Sequence, residues 1–95
     1  MLTLPIKKKW YDMILSGEKK EEYREEKPYY LQRFATLGVG DKSVHTILLR
    51  NGYSSNSPTL QCEVSIDVGY GKEEWGAEKD KTYYVLSIQK VKELR

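Results

Sequence analysis

The amino-acid sequence predicts an α+β domain, a small and mostly antiparallel β-barrel carrying two short helices. Three observations predict it. Leu60, Cys62, Val64, Ile66 and Val68 alternate strictly with Gln61, Glu63, Ser65 and Asp67, the pattern of a strand with one wet face. Trp10, Met13 and Ile14, with Tyr11 and Leu15 beside them, follow the i, i+3, i+4 spacing of an amphipathic helix. Turn signals at Gly38-Val39-Gly40-Asp41, Asn51–Pro58 and Gly69-Tyr70-Gly71 separate several strand-like segments, with no repeat and no linker, as in small barrels.

The elements follow in order. Leu2, Leu4 and Ile6 alternate with Thr3 and Pro5; this is an edge strand, because Pro5 has no N–H to give a ladder. The helix over Lys8–Ser16 stops at Gly17, a residue suited to the left-handed position after a last turn. Lys19 to Glu25 then forms a polar strand. Pro28 opens the second helix, with Glu25 and Glu26 at its positive end and Tyr30, Leu31 and Phe34 as its buried stripe. Val44 to Arg50 is apolar on both parities, which marks a central strand. Asn51–Pro58 is a mobile loop. Gly69-Tyr70-Gly71 ends the alternating strand, and Lys72–Glu78 makes a loop or single helical turn around Trp75. Tyr84, Leu86 and Ile88 define the last strand, ahead of a charged end.

At 95 residues the chain is a single domain over 1–95, large enough to bury a core without disulfide staples. Sixteen Lys and Arg against fourteen Asp and Glu exclude binding by bulk positive charge, so any nucleic-acid contact is local. One cysteine and one histidine exclude a disulfide framework, a multi-cysteine zinc site and a His-rich metal centre. No metal or cofactor is implied. No uninterrupted apolar run exceeds four residues, and the basic Lys7-Lys8-Lys9 follows rather than precedes the first apolar segment. The expectation is a cytoplasmic protein with no membrane span and no signal peptide.

The densest chemical signal is Gly17-Glu18-Lys19-Lys20-Glu21-Glu22-Tyr23-Arg24. Glu22 and Arg24 share a strand face and are placed to form a bidentate pair. Lys19 has the opposite parity but follows the helix stop directly, where strand pleating need not hold yet. Together they would form a partly buried charge network at a barrel mouth, with Lys and Arg clamping a phosphate or carbonyl and the carboxylate orienting them or moving protons. A solvated charge run is the plain alternative, since from Glu18 to Lys27 only Tyr23 is uncharged.

Gly17, Lys19, Glu22 and Arg24 match the G-x-K-x-x-E-x-R pattern of the ASCH domain, and the chain resembles that family of PUA-like β-barrels over nearly its whole length. The strand–helix–glycine order, the Gly69-Tyr70-Gly71 and Trp75-Gly76 segments and the Tyr83-Tyr84-Val85-Leu86 strand look like its small phage and bacterial members. The resemblance implies a domain that handles RNA or a nucleoside or nucleotide ligand. Some members resemble amidohydrolases that deacetylate a modified cytidine with a lysine, a threonine and a glutamate. Lys19 matches the lysine, but Glu22 stands where the threonine falls, which removes the hydroxyl nucleophile. Glu73 or Glu74 is the nearest guess for the distal glutamate.

The favoured expectation is therefore binding of RNA or a nucleotide-sized ligand in a cleft lined by Lys19, Glu22 and Arg24. A small hydrolase using the same cleft, amidohydrolase or ribonuclease, with Lys19 and Glu22 catalytic, is the alternative; a protein-interaction module is the third. Tyr53, Tyr70 and Trp75 are candidates to stack on a base, although Trp75 reads first as a plug at the barrel end. His45 reads as a satisfied barrel histidine and Cys62 as a core residue.

Overall fold

In the computed structural model of the protein, which describes residues 1–94, the order of elements is β1 (Thr3–Pro5), α1 (Lys8–Ser16), β2 (Glu21–Arg24), α2 (Pro28–Leu37), β3 (His45–Arg50), β4 (Thr59–Tyr70), a 3-10 turn (Glu73–Trp75) and β5 (Thr82–Glu93). The strands form one mixed sheet in the order β1-β3-β4-β5-β2, curled into a half-barrel. The β1–β3 pairing is parallel and the other three are antiparallel, so the fold is the expected α+β, mostly antiparallel, barrel-like one. The curl leaves the barrel open between β1 and β2. That opening positions the candidate site.

Local chemistry explains most boundaries. Gly17 ends α1 with φ +86° and donates its N–H to the Ile14 carbonyl, a left-handed stop. Pro28 occupies the first turn of α2, where a missing N–H costs nothing. Pro5 lies on edge strand β1 at a register position whose backbone faces away from β3, since the flanking Leu4 and Ile6 face it; Ile6 N–H bonds Arg50 C=O. Inside, Leu4, Ile14, Phe34, Ile47, Leu60 and Leu86 are all but fully buried in one core joining both helices to the sheet. Cys62 lies there too, and burial, assisted by the charge of Glu22, pushes its thiol up to about 11. No helix among the described residues is long and apolar enough to cross a membrane.

The structure corrects the expected elements in four places. Leu31 is 55% exposed, so Phe34, with the partly buried Tyr30 and Leu37, carries the α2 stripe. Val44 is exposed and β3 starts at His45. β4 runs on to Tyr70, because Gly69 and Tyr70 pair with Tyr83 and Thr82. β5 continues through the charged end to Glu93, pairing with the first half of β4 after a bulge at Gln89, where Glu63 faces Lys90 but Val64 faces Ile88. The loop 51–58 is closed by Asn51 N–H to Pro58 C=O and an inner Ser54–Ser57 turn.

The segment after β4 folds over the outside of β2 and β5. Gly71 makes this close approach: a Cβ there would lie 2.6 Å from Tyr23 Cζ and 2.7 Å from Ala77 Cβ. Gly71→Ala is expected to lower stability by about 1–3 kcal/mol through overpacking. Gly69→Ala, whose added Cβ meets nothing within 4 Å, should leave the melting midpoint unchanged or slightly raised. Thermal melts of the two variants check this; equal midpoints would refute the close-packing account.

Candidate functional site

The sheet's two edge strands, β1 and β2, are not hydrogen-bonded to each other through their backbones; a side chain joins them. Glu22 and Arg24 alternate with Tyr23 on β2, so both point inward, and both are buried. Arg24 Nη2 donates to the Pro5 carbonyl on β1 at 2.7 Å and to Glu22 Oε2 at 2.5 Å. Its Nη1 reaches the Tyr30 hydroxyl on α2 at 3.4 Å. One guanidinium thus ties together β1, β2 and α2.

Lys19 reaches the same cluster from the turn before β2. Its Nζ lies 3.3 Å from Glu22 Oε1 and donates to the Trp75 carbonyl at 2.5 Å. The rings of Trp10 and Tyr23 each lie 4.8 Å from it, in cation–π contact. Both oxygens of Glu22 are therefore engaged, one by each cation. Two cations and one carboxylate are buried here, and two backbone carbonyls, a phenol and aromatic faces surround the excess positive charge. No buried side-chain nitrogen or oxygen among the described residues lacks a partner.

Burial lowers the Lys19 pKa below its ordinary 10.5, against the opposing charge and hydrogen bond of Glu22. For Arg24 burial also acts downward, but the Glu22 charge and the hydrogen bonds to Tyr30 and Glu22 outweigh it, so the guanidinium is held more firmly charged than usual. Arg24 is the fixed cation of the site and Lys19 the adjustable one.

Above the cluster opens a cleft of about 400 Å³ between β1 and the start of α1 on one side and β2, α2 and the 72–83 segment on the other. Glu22 and Arg24 lie in its floor, and Trp10, Tyr23, Tyr30, Trp75 and Tyr83 contribute to its walls. Lys7, Arg24 and Lys81 bring positive charge to the lining and Glu22, Glu25 and Glu78 negative charge, so the opposing signs balance. At the rim Lys81 bridges Glu25 and Glu78 at 3.1 and 3.3 Å.

Of the residues singled out in the sequence, Glu22, Arg24 and Trp75 come together at the cleft. Lys19 belongs to the cluster but lies behind the wall, its side chain 1% exposed. Tyr53 is fully exposed on the 51–58 loop, away from the cleft lining. Tyr70 borders a separate shallow hollow with Lys79 and Asp80. Glu73 and Glu74 are exposed on the 3-10 turn and also lie off the cleft lining. His45 is partly buried, with Nε2 2.7 Å from Ser43 Oγ. Among the described residues no group of three or more His, Cys, Asp or Glu is placed to hold a metal ion. Sequence reasoning missed the carbonyls of Pro5 and Trp75 and the roles of Trp10, Tyr30 and Tyr83. Backbone carbonyls leave no trace in sequence, and the three aromatics read equally well as core.

No protein-family model, no curated protein and no solved structure matches this chain.

Two outcomes test the cluster. Arg24→Ala strips Glu22 of one partner and severs the tie to β1, so it should cost about 3–5 kcal/mol in chemical denaturation, as loss of one partner of a buried pair does. Lys8→Ala, which breaks the exposed pair with Asp12, should leave the midpoint within error. For Lys19, the unfolded chain holds its proton more tightly between the lowered native pKa and 10.5. The destabilisation from burying this charge is therefore complete below the native pKa and fades as pH rises towards 10.5. Wild type should gain stability relative to Lys19→Met between pH 7 and 10, as measured by urea titrations at each pH.

Proposed function

We infer that the cleft between β1 and β2 binds a base-bearing ligand, a nucleoside, a nucleotide or a base of single-stranded RNA, in the manner of an ASCH-type PUA-like domain. One observation carries this reading: three residues of the Gly17-x-Lys19-x-x-Glu22-x-Arg24 motif meet in a buried charge cluster beneath an aromatic-walled cleft. A solvated charge run would leave these side chains in water. They are among the most buried polar groups in the protein. The cleft volume suits a single nucleoside, and its balanced charges suit a neutral ring better than a phosphate. Phosphates would lie outside it, near the exposed Lys7, Lys8 and Lys9.

In this reading Arg24 and Glu22 form the polar floor, the tyrosines contribute apolar contact, and Lys19 holds Glu22 in place from behind. The lowered pKa of Lys19 favours a second reading, hydrolysis in the same cleft with Lys19 exchanging a proton. Against it, both Glu22 oxygens are already held by cations.

Trp10 and Trp75, the chain's two tryptophans, both line the cleft, so intrinsic fluorescence reports occupancy directly. Titration with nucleosides and short single-stranded RNAs should shift the emission. Tyr30→Ala should weaken binding by about tenfold to a hundredfold, the cost of one lost base–aromatic contact. Absence of any fluorescence or calorimetric response would refute the reading. Release of product from acetylated cytidine or labelled RNA, lost in Lys19→Arg while binding persists, would replace it with the enzymatic one.

A further inference from the structure

The open seam presents more than side chains. In the β2–β5 ladder, Ile88 N–H bonds Lys20 C=O, and the register pairs Glu21 with Ser87, Glu22 with Leu86 and Tyr23 with Val85. Antiparallel strands alternate hydrogen-bonded and non-bonded pairs. The bond to Lys20 makes Glu21–Ser87 a non-bonded pair, Glu22–Leu86 a bonded pair and Tyr23–Val85 non-bonded again. The backbone N–H and C=O of Tyr23 therefore point away from β5, towards the free edge. β1 shows the same geometry from the opposite side: Leu2 C=O and Ile6 N–H bond β3, so Thr3 and Pro5 face the seam.

Pro5 contributes no N–H, and its carbonyl is taken by Arg24. Tyr23, a lining residue of the cleft, has no backbone partner across the seam. In extended chain its N–H and C=O lie side by side and point the same way, a donor next to an acceptor. A ring with an acceptor next to an N–H, as on the pairing edge of uracil or guanine, presents the complement. A peptide strand would also pair with such an edge, but it needs a run of residues. β2 is four residues long, and the Arg24 bridge to Pro5 crosses the seam beside it.

We propose that the backbone N–H and C=O of Tyr23 read the pairing edge of the bound base, making the exposed edge of β2 the element that selects heterocycles with adjacent donor and acceptor. This rests on the base-binding reading above and adds the atoms that choose among bases. Aromatic walls hold any flat ring. An unpaired donor and acceptor do not: a ring that blocks them leaves both without partners in a partly dry cleft.

Ligand-side changes test this without disturbing the fold. Fluorescence titration of the wild-type protein compares uridine with 3-methyluridine and guanosine with 1-methylguanosine, each methyl replacing the ring N–H. The expected result is a loss of about tenfold or more in affinity on methylation in at least one pair. The Tyr23 amide proton should also move in the NMR spectrum with the parent nucleoside and stay put with its methylated form. Equal affinities within both pairs, or an unmoved Tyr23 amide at saturation, would overturn the proposal and leave base binding standing. Failure of all four nucleosides and of single-stranded RNA to bind would overturn both.

Discussion

The architecture depends on one guanidinium that crosses the gap between two sheet edges. A five-stranded sheet of this curl has no backbone ladder to close it, and exposed edges invite pairing with other chains. Arg24 closes the seam by bonding the carbonyl of Pro5, and proline at that position withholds the N–H that a ladder would use. A side-chain bridge differs from a strand pair in one consequential way. It joins the strands at one point and leaves room above for a cleft.

That bridge needs support, because a buried cation is costly unless it is paired and hydrogen-bonded. Glu22 supplies the counter-charge, but its second oxygen then needs a partner, which Lys19 provides. Lys19 in turn draws on the Trp75 carbonyl and on two aromatic faces. The 72–78 segment is thereby anchored to the turn before β2, and the close contact of Gly71 with Tyr23 seats its other end. Tyr23 completes the anchoring, its hydroxyl accepting the Lys72 N–H and donating to Glu21. The walls of the cleft are consequences of satisfying the floor.

How much of this the sequence disclosed depended on the range of the interaction. β4 and α1 were legible because a half-buried strand and an amphipathic helix impose periods of 2 and 3.6 on neighbouring residues. Gly17 and Pro28 marked boundaries for equally local reasons. The Glu22–Arg24 pair followed from strand parity alone. Lys19 was legible as a member of the cluster but not as a buried strut, since its carbonyl partner lies 56 residues further on. The charged end of β5 hid its strand because its register is set by the first half of β4 rather than by its own pattern. Leu31 misled in the opposite direction: it has helical spacing, yet it is exposed while Phe34 on the same helix is fully buried.

Native-state hydrogen exchange tests the central claim most directly, comparing wild type with Arg24→Gln. The amides of Ile6 and Leu48 report β1–β3 pairing, while those in the β4–β5 ladder report the rest of the sheet. If the guanidinium holds β1 against the open edge, protection at Ile6 and Leu48 should fall further than in the β4–β5 ladder, as β1 gains a local opening of its own. A uniform fall across all strands, or none at Ile6 and Leu48, would contradict the account.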